Sequence, residues 1–375
     1  MTEIKRRTAL AAASGLLIVK PQTAFGSQAN SKVHVGVIGT GNRGRYDADF
    51  FSKDARAEVA ALCDLYPDQI DAAKTQVPAL SSAKTYKDYA ELIAHPGLDA
   101  IQITTPVYLH PEHFTAAVKA GKHVYCEKPA GASVAGVKMT LAAAKAASPK
   151  QVIFFGFQQR WSPEYLAAEQ ILRSGQLGEL LLMRAEWMVG GIRVGVQPKI
   201  TPEMEKRAWY PWREKSGDFI VEQDCHGVDV LNWFAQAHPV SAIGGGGKGK
   251  RPVGNNLDHV NVTYTYPSGL CGYLHGTQLI TGWGEVREQF FGGSGSITTH
   301  RKYYEWYRGG QKPTRVESKR EITIDAIEQF LTHILEGKQK NMAFDACDST
   351  FTSLLGRMAV DAKRPVTWDE MMASA

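Results

Sequence analysis

Val33-His34-Val35-Gly36-Val37-Ile38-Gly39-Thr40-Gly41-Asn42-Arg43-Gly44 decides how this chain is read. The first half is an apolar, β-rich run and the second half is G-x-G-x-x-G. A helical stretch to about Lys53 follows, then a second strand, Glu58-Val59-Ala60-Ala61-Leu62-Cys63, ending on Asp64. Each part has a task in a dinucleotide site. Gly39 allows the tight turn, Gly41 lets the backbone approach a pyrophosphate, and Gly44 lets the helix pack close on the strand. The helix N-terminus, entered through Thr40, Asn42 and Arg43, offers unpaired N–H groups and a partial positive charge to phosphates. Asp64 falls twenty residues past Gly44, where a carboxylate accepts from a ribose 2′-hydroxyl. It would repel a 2′-phosphate, so the expected cofactor is NAD rather than NADP.

Outward from this unit the chain alternates strand and helix. Lys84-Thr85-Tyr86 reads as a short strand and Tyr89 to Ile93 as a helix. Ala100 to Thr104 is a strand ending at Thr105-Pro106. His110 and His113 open a helix that runs to Ala120, and Gly121 ends it as a C′ residue. His123-Val124-Tyr125-Cys126 is the next strand, and it delivers Glu127-Lys128-Pro129. In doubly wound folds ligands bind beyond the carboxyl ends of the strands, so Lys128 is aimed at the ligand. Glu127 can hold the ammonium or a ribose hydroxyl. A helix from Val134 to Ala147 and a strand from Gln151 to Phe155 complete an α/β domain with a parallel sheet, residues 31–155.

Residues 156–375 have another texture. Leu180 to Trp187, His259 to Tyr266, Leu270 to Leu279 and Val286 to Phe291 read as strands of a mostly antiparallel, open sheet. Pro267-Ser268-Gly269 and Gly292-Gly293-Ser294-Gly295 fit hairpin turns. Gly244 to Gly254 reads as a flexible, glycine-rich connection. The fold class is therefore a Rossmann half followed by an α+β half, with the site between them. In the second half, Ser216 to Trp233 carries chemistry. Val228, Leu231 and Phe234 or Ala235 give the buried stripe of a helix. A helix already running at Glu222 would place Glu222 and His226 on one face, where a carboxylate orients an imidazole and raises its basicity.

Composition narrows the classes. The 375 residues allow two domains. Net charge is +5 from 43 basic and 38 acidic residues, dispersed without a block of like charge, so no nucleic-acid surface is read. The cysteines Cys63, Cys126, Cys225, Cys271 and Cys347 are scattered, without a C-x-x-C pair. They signal neither a disulfide framework nor a thiolate metal site. His226, Asp224, Glu222 and Asp229 are dense in oxygen and nitrogen ligands, but no second histidine sits at helical spacing from His226, and no metal is assigned. Residues 1–30 read as an address. Lys5-Arg6-Arg7-Thr8 is followed by an Ala/Leu-rich run from Ala9 to Val19 and small residues around Ala24 to Ala29. This is signal-peptide anatomy with the paired arginines of the twin-arginine route, against the alternative of a cytoplasmic protein. The run is too short for a membrane span.

From Val33 to about Glu370 the chain resembles the glucose–fructose oxidoreductase and inositol dehydrogenase family, Gfo/Idh/MocA. The most specific mark is Gly121-Lys122-His123-Val124-Tyr125-Cys126-Glu127-Lys128-Pro129, similar to the family's G-K-H-V-x-x-E-K-P, in which the lysine is catalytic. Thr105-Pro106 with His110 matches a loop that lies against the cofactor. Gly156-Phe157-Gln158-Gln159-Arg160 resembles the motif that opens the second domain, and Gly356 to Ala359 and Val366 to Glu370 resemble C-terminal motifs. The family's D-x-G-x-H, aligned on His226, places Glu222 at the aspartate and Asp224 at the glycine, a departure that adds a carboxylate. The resemblance implies hydride transfer between a sugar or cyclitol carbon and NAD. His226 would be the acid/base, Glu222 its orienter, and Lys128 the holder of the reacting oxygen. Arg160, Trp212 and His110 would be wall residues, with Trp209 and Tyr210 suited to a sugar's apolar face. It also implies a homo-oligomer. Export implies a tightly bound NAD that is reset on every cycle, by paired oxidation and reduction of two sugars or by transient oxidation within one substrate, and two alternatives to a net dehydrogenase stay open. One is a redox-neutral hydrolase, lyase or epimerase acting through a transient keto-sugar. The other is a non-catalytic sugar-binding protein.

Overall fold

The computed structural model describes residues 32–190, 201–249, 251–279 and 282–375, without the side chains of 204–206. The address segment read at residues 1–30 lies outside the described residues.

The first sheet is built from β1 (Val33–Ile38), β2 (Ala57–Cys63), β3 (Lys84–Tyr86), β4 (Ala100–Ile103), β5 (His123–Cys126) and β6 (Val152–Phe155). All pair in parallel, in the order β6-β5-β4-β1-β2-β3. The chain winds one way from β1 to β3 and the other way from β4 to β6. The switch therefore falls between β1 and β4, and a crevice opens beyond their carboxyl ends. The helix His110–Lys119 stops as its sequence indicates. Gly121 has φ 73°, its N–H donates to the Val118 carbonyl, and Lys122 N–H donates to the Ala117 carbonyl, a Schellman closure.

The second sheet holds β7 (Leu180–Met188), β8 (Ser241–Gly247), β9 (His259–Thr265), β10 (Cys271–Thr277), β11 (Glu285–Gly292), β12 (Gly295–His300), β13 (Tyr303–Arg308) and β14 (Thr314–Glu317). Its order is β14-β13-β12-β11-β7-β10-β9-β8-β16, with β16 at Val366–Thr367. Every pair is antiparallel except β7 with β10. Its inner face packs on the helices Cys225–Ala235 and Ala343–Ala362. One apolar core runs from Ile38 and Phe155 of the first sheet through Leu231 and Leu355 to Tyr264 and Phe290 of the second.

Two features differ from the sequence reading. The division at residue 156 is not clean, because the chain returns to the first sheet. Lys340–Asn341 forms β15 beside β6, and the helix Ile322–Leu335 covers the sheet's other face. The contact that holds it there is apolar: Phe330 packs edge-on against the rings of Phe51, Tyr125 and Phe154. Separation of well over a hundred residues hides this from any local pattern. The glycine-rich stretch from Gly244 is not a free connection at its start, since Ser241–Gly247 is strand β8. A Cβ on Gly244 would lie 2.7 Å from the Asn261 carbonyl oxygen and 3.1 Å from Val360. Gly244 lets the strand lie close under the helix Ala343–Ala362. Among the described residues no helix is long and apolar enough to cross a membrane.

Candidate active site

The glycine turn follows β1 and opens the helix Asn42–Lys53. Gly39 has φ 91°, and a Cβ there would stand 2.8 Å from Thr104 and Thr105 backbone atoms. A Cβ on Gly44 would stand 1.9 Å from the Gly39 carbonyl oxygen. Gly41 is different: a Cβ there meets nothing within 4 Å, so its surface is open to a ligand. Asp64 braces the turn. Its Oδ2 accepts from Thr40 N (2.8 Å) and Thr40 Oγ1 (3.1 Å), and its Oδ1 accepts from Tyr66 N (3.0 Å). A carboxylate has about four acceptor positions, which leaves one for a ribose hydroxyl. Asn42 faces Arg45, whose Nη2 donates to its Oδ1. An open glycine, a helix N-terminus and an end-of-strand carboxylate fit the pyrophosphate and ribose of NAD.

Beside the turn, β5 delivers Glu127 and Lys128. Glu127 is buried, and its Oε1 accepts from Arg43 Nε (3.0 Å) and Nη2 (2.7 Å). Gly156 makes the room: a Cβ there would stand 2.3 Å from Glu127 Oε1. Burial pulls the Arg43 guanidinium down, but Asp47 and Glu127 hold it above its usual range. Lys128 Nζ donates to the Glu222 carbonyl (2.6 Å) and to Glu222 Oε1 (3.0 Å). Burial is the largest influence on this ammonium and works against the charge. Glu222, Cys225 and Glu127 together outweigh it and keep the pKa raised. An ammonium has three donors, so one remains for a substrate oxygen. His110 clamps the loop, its ring nitrogens 2.8 Å from the Pro129 and Thr105 carbonyl oxygens. Burial lowers its pKa, and a neutral ring donates to one of them at a time. Thr105 Oγ1 meets His113 Nδ1 at 3.0 Å, and Pro106 starts the turn Val107–Leu109.

His226 faces these groups from the second half. Its ring is stacked on Trp187 at 5.4 Å and 15° and meets Phe157 edge-on. Nδ1 lies 3.2 Å from Gln159 Oε1. An amide oxygen only accepts, so Nδ1 carries the proton and Nε2 keeps its lone pair. Burial, and then the positive charges of Arg301, Lys128 and Arg43, hold the imidazole well below its usual pKa. It is a neutral base in a positive field.

The expected partnership of Glu222 with His226 is not what the fold makes. The helix breaks: Phe219–Glu222 is one turn and Cys225–Ala235 begins anew. Glu222 and His226 are therefore not four residues apart on one helix. Glu222 pairs with Lys128, and Gln159 orients the imidazole instead. Asp224 turns away from the cleft into space left by Gly276, where a Cβ would stand 1.9 Å from Asp224 Oδ2. Both its oxygens are buried without a hydrogen bond, and burial pushes the carboxyl well above its usual range.

Arg160 is also displaced from its expected place at the substrate. Its guanidinium is held by Asp229 (2.8 Å) and Asp345 (3.5 Å) and lines a separate cavity with Trp233 and His238. Trp212 precedes the short helix Arg213–Ser216 and does not line the cleft, whereas Trp209 and Tyr210 do. Among the described residues no three of His, Cys, Asp and Glu gather as a metal site. Sequence reading missed Gln159, Trp187, Gln223 and Arg301. Gln159 and Gln223 lay inside motifs already singled out, at positions given no role. Trp187 and Arg301 are single residues on strands and turns whose position depends on sheet pairing.

The cleft that collects these groups encloses about 320 Å³ and is lined by Arg43, Thr104, Thr105, His110, Glu127, Lys128, Trp187, Trp209, Tyr210, Glu222, His226 and Arg301, among others. A dinucleotide cradle, a persistent ammonium and a neutral imidazole around one space define the class: a nicotinamide-dependent oxidoreductase fold of two sheets. Residues 33–155 match the oxidoreductase family with an NAD-binding Rossmann fold, and residues 165–298 match the GFO/IDH/MocA C-terminal domain. The chain belongs to the GFO/IDH/MocA family, and NAD is its cofactor. It is 34% identical to the inositol 2-dehydrogenase of Serratia proteamaculans over 210 residues, 56% of each chain. It is 22% identical to the myo-inositol 2-dehydrogenase of Thermotoga maritima over 355 residues, 91% of this chain and 100% of the relative. The chain spans about half the length of several of the curated relatives it matches. In fold it is similar to levoglucosan dehydrogenase in complex with NADH and levoglucosan, with a TM-score of 0.78 and 17% identity over 90% of this chain and 99% of that one.

Proposed function

We propose that the protein is an NAD-dependent oxidoreductase that moves a hydride between a carbinol carbon of a sugar or cyclitol and the nicotinamide. The observation that carries this reading is that Lys128 and His226, from different halves of the chain, line one cleft beside the glycine turn. When bound, NAD supplies the hydride acceptor. Nε2 of His226 takes the hydroxyl proton as the C–H electron pair leaves the same carbon and the carbonyl forms. The remaining N–H of Lys128 donates to the reacting oxygen and stabilises its developing charge. Gln159 keeps the imidazole in the tautomer this requires. Trp209 and Tyr210, which line the cleft, offer apolar faces to a ring whose hydroxyls point elsewhere. Inositol and levoglucosan, named in the relatives, are rings of this kind.

We infer, too, that the protein is exported by the twin-arginine route with NAD tightly bound, from Arg6-Arg7 and the apolar run behind them. Homo-oligomerisation is supported by the second sheet. Register places Leu182, Ile243 and Tyr307 on the face turned away from the helices, and all three are exposed. The test of function is direct. Purified protein is offered a panel of sugars and cyclitols with NAD, and absorbance of reduced nicotinamide is followed. Accumulation with at least one, lost by about a hundredfold or more in Lys128→Ala, is the expected result. Product formed without net absorbance change marks a redox-neutral cycle. No product from any member, with sugar binding unaltered in Lys128→Ala, refutes the enzyme reading.

A further inference from the structure

Three cations line the cleft, and two already have partners. Arg43 is tied to Glu127 at 2.7 Å and Lys128 to Glu222 at 3.0 Å. Arg301, on the turn between β12 and β13, has no carboxylate partner among the described residues. Its guanidinium sits 5.1 Å over the Trp187 ring, and its Nε–H is buried without an acceptor. Glu288, in the sheet beneath it, feels its charge but forms no ion pair with it among the described residues. That carboxyl is occupied by hydroxyl donors from Tyr165 (2.9 Å) and Thr299 (2.7 Å).

A buried charged donor without a partner is destabilising by itself, and it makes sense where a ligand brings the acceptor. The unmet Nε–H lies on the edge of the guanidinium that donates two parallel hydrogen bonds to a carboxylate or phosphate. Stacking on Trp187 fixes the plane of that edge. The cofactor's pyrophosphate has its own place, at the glycine turn of the first sheet. Arg301 belongs to the second sheet, over the same Trp187 that stacks on His226. It therefore addresses the reacting end of the cleft.

We propose that Arg301 binds an oxyanion carried by the substrate, so that the sugar turned over in this cleft is an acidic one. The inference rests on the sugar reading of the site and narrows it to carboxylated or phosphorylated sugars. Neutral hydroxyls could accept from the Nε–H but would bring no counter-charge to a cleft already made positive around His226.

Galacturonate, glucuronate and glucose 6-phosphate are compared with galactose and glucose in two assays: NAD-dependent turnover, and calorimetric binding to protein saturated with NADH. Both are repeated in Arg301→Gln and Arg301→Lys, with melting temperature checking the fold. Expected is a preference of at least about tenfold for an acidic sugar over its neutral parent. Arg301→Gln erodes that preference by about ten- to a hundredfold, and Arg301→Lys, which keeps the charge without the fork, erodes it less. The uronate and phosphate arms say which oxyanion is taken. Neutral sugars bound as well as acids, or an acid preference that survives Arg301→Gln, overturns the proposal. So does a tenfold loss of NADH affinity in Arg301→Gln with the acid-to-neutral ratio unchanged, which would assign Arg301 to the cofactor. If acids bind through Arg301 and no sugar is oxidised, Arg301 keeps this role and the oxidoreductase reading falls. If no acidic sugar binds, the proposal falls whatever the turnover.

Discussion

Replacing Glu288 with glutamine should change how stability depends on pH, and the size of the change follows from the site. Glu288 is 1% exposed, and its Oε2 accepts from Tyr165 and Thr299. Burial pushes the carboxyl from 4.5 up to about 7, against the opposing pull of these hydroxyls and of Arg301. The folded protein thus holds this proton more tightly than the unfolded chain does. The resulting stabilisation is complete below about pH 4.5 and is lost as pH rises through about 7. At about 1.4 kcal/mol per pH unit, the interval from 4.5 to about 7 is worth about 3 kcal/mol. Glutamine is neutral throughout and lacks this dependence. The assay is urea unfolding of wild type and Glu288→Gln at pH 4.5 and pH 8. Taking the difference between the two proteins at each pH cancels the other buried acids. The variant's stability relative to wild type should improve by about 3 kcal/mol from the lower pH to the higher. A difference that is flat with pH, or that runs the other way, refutes the argument that Glu288 is held protonated by burial.

Three further outcomes are expected. Gly41→Ala should fold with an unchanged melting temperature, because its φ of −61° suits any residue and its Cβ meets nothing. It should still lose about tenfold or more in NAD affinity by fluorescence titration, whereas Gly44→Ala, with a Cβ 1.9 Å from the Gly39 carbonyl oxygen, should lower the melting temperature. Gln159→Leu should lower kcat about ten- to a hundredfold by leaving the His226 Nδ1–H without an acceptor. Gln159→Glu should move the acid limb of kcat/KM to higher pH, since a carboxylate beside an imidazole raises its pKa, and unmoved pH–rate profiles would reject Gln159 as the orienting group. Changing Arg6 and Arg7 together to lysine should retain the precursor in the cytoplasm on fractionation, and export that persists would reject the twin-arginine assignment.

Much of the site was written locally. The glycine turn, Asp64 and Lys128 each sit at the end of a strand whose apolar run is its own signature, so a parallel sheet follows from alternation, whereas the strand order and the switch between β1 and β4 come from the pairing. His226 was legible through its motif, but its partner was not. Spacing on an unbroken helix pointed to Glu222, and the break at Gln223 and Asp224 sends that carboxylate to Lys128. Arg160 shows the same limit in reverse. It stands one residue from Gln159 in sequence, yet Asp229 and Asp345 draw its guanidinium into another cavity.

By itself the sequence determined the two-sheet plan, the NAD-binding turn and the lysine and histidine that meet beyond it, because these depend on periodicity, turn chemistry and short motifs. Only the tertiary structure decided which groups face one another. Gln159 behind His226, Glu222 on Lys128, Arg301 over Trp187 and Phe330 among the first sheet's aromatics are contacts between distant segments. Their energies come from packing and from partner choice in a space that no local stretch of chain encodes.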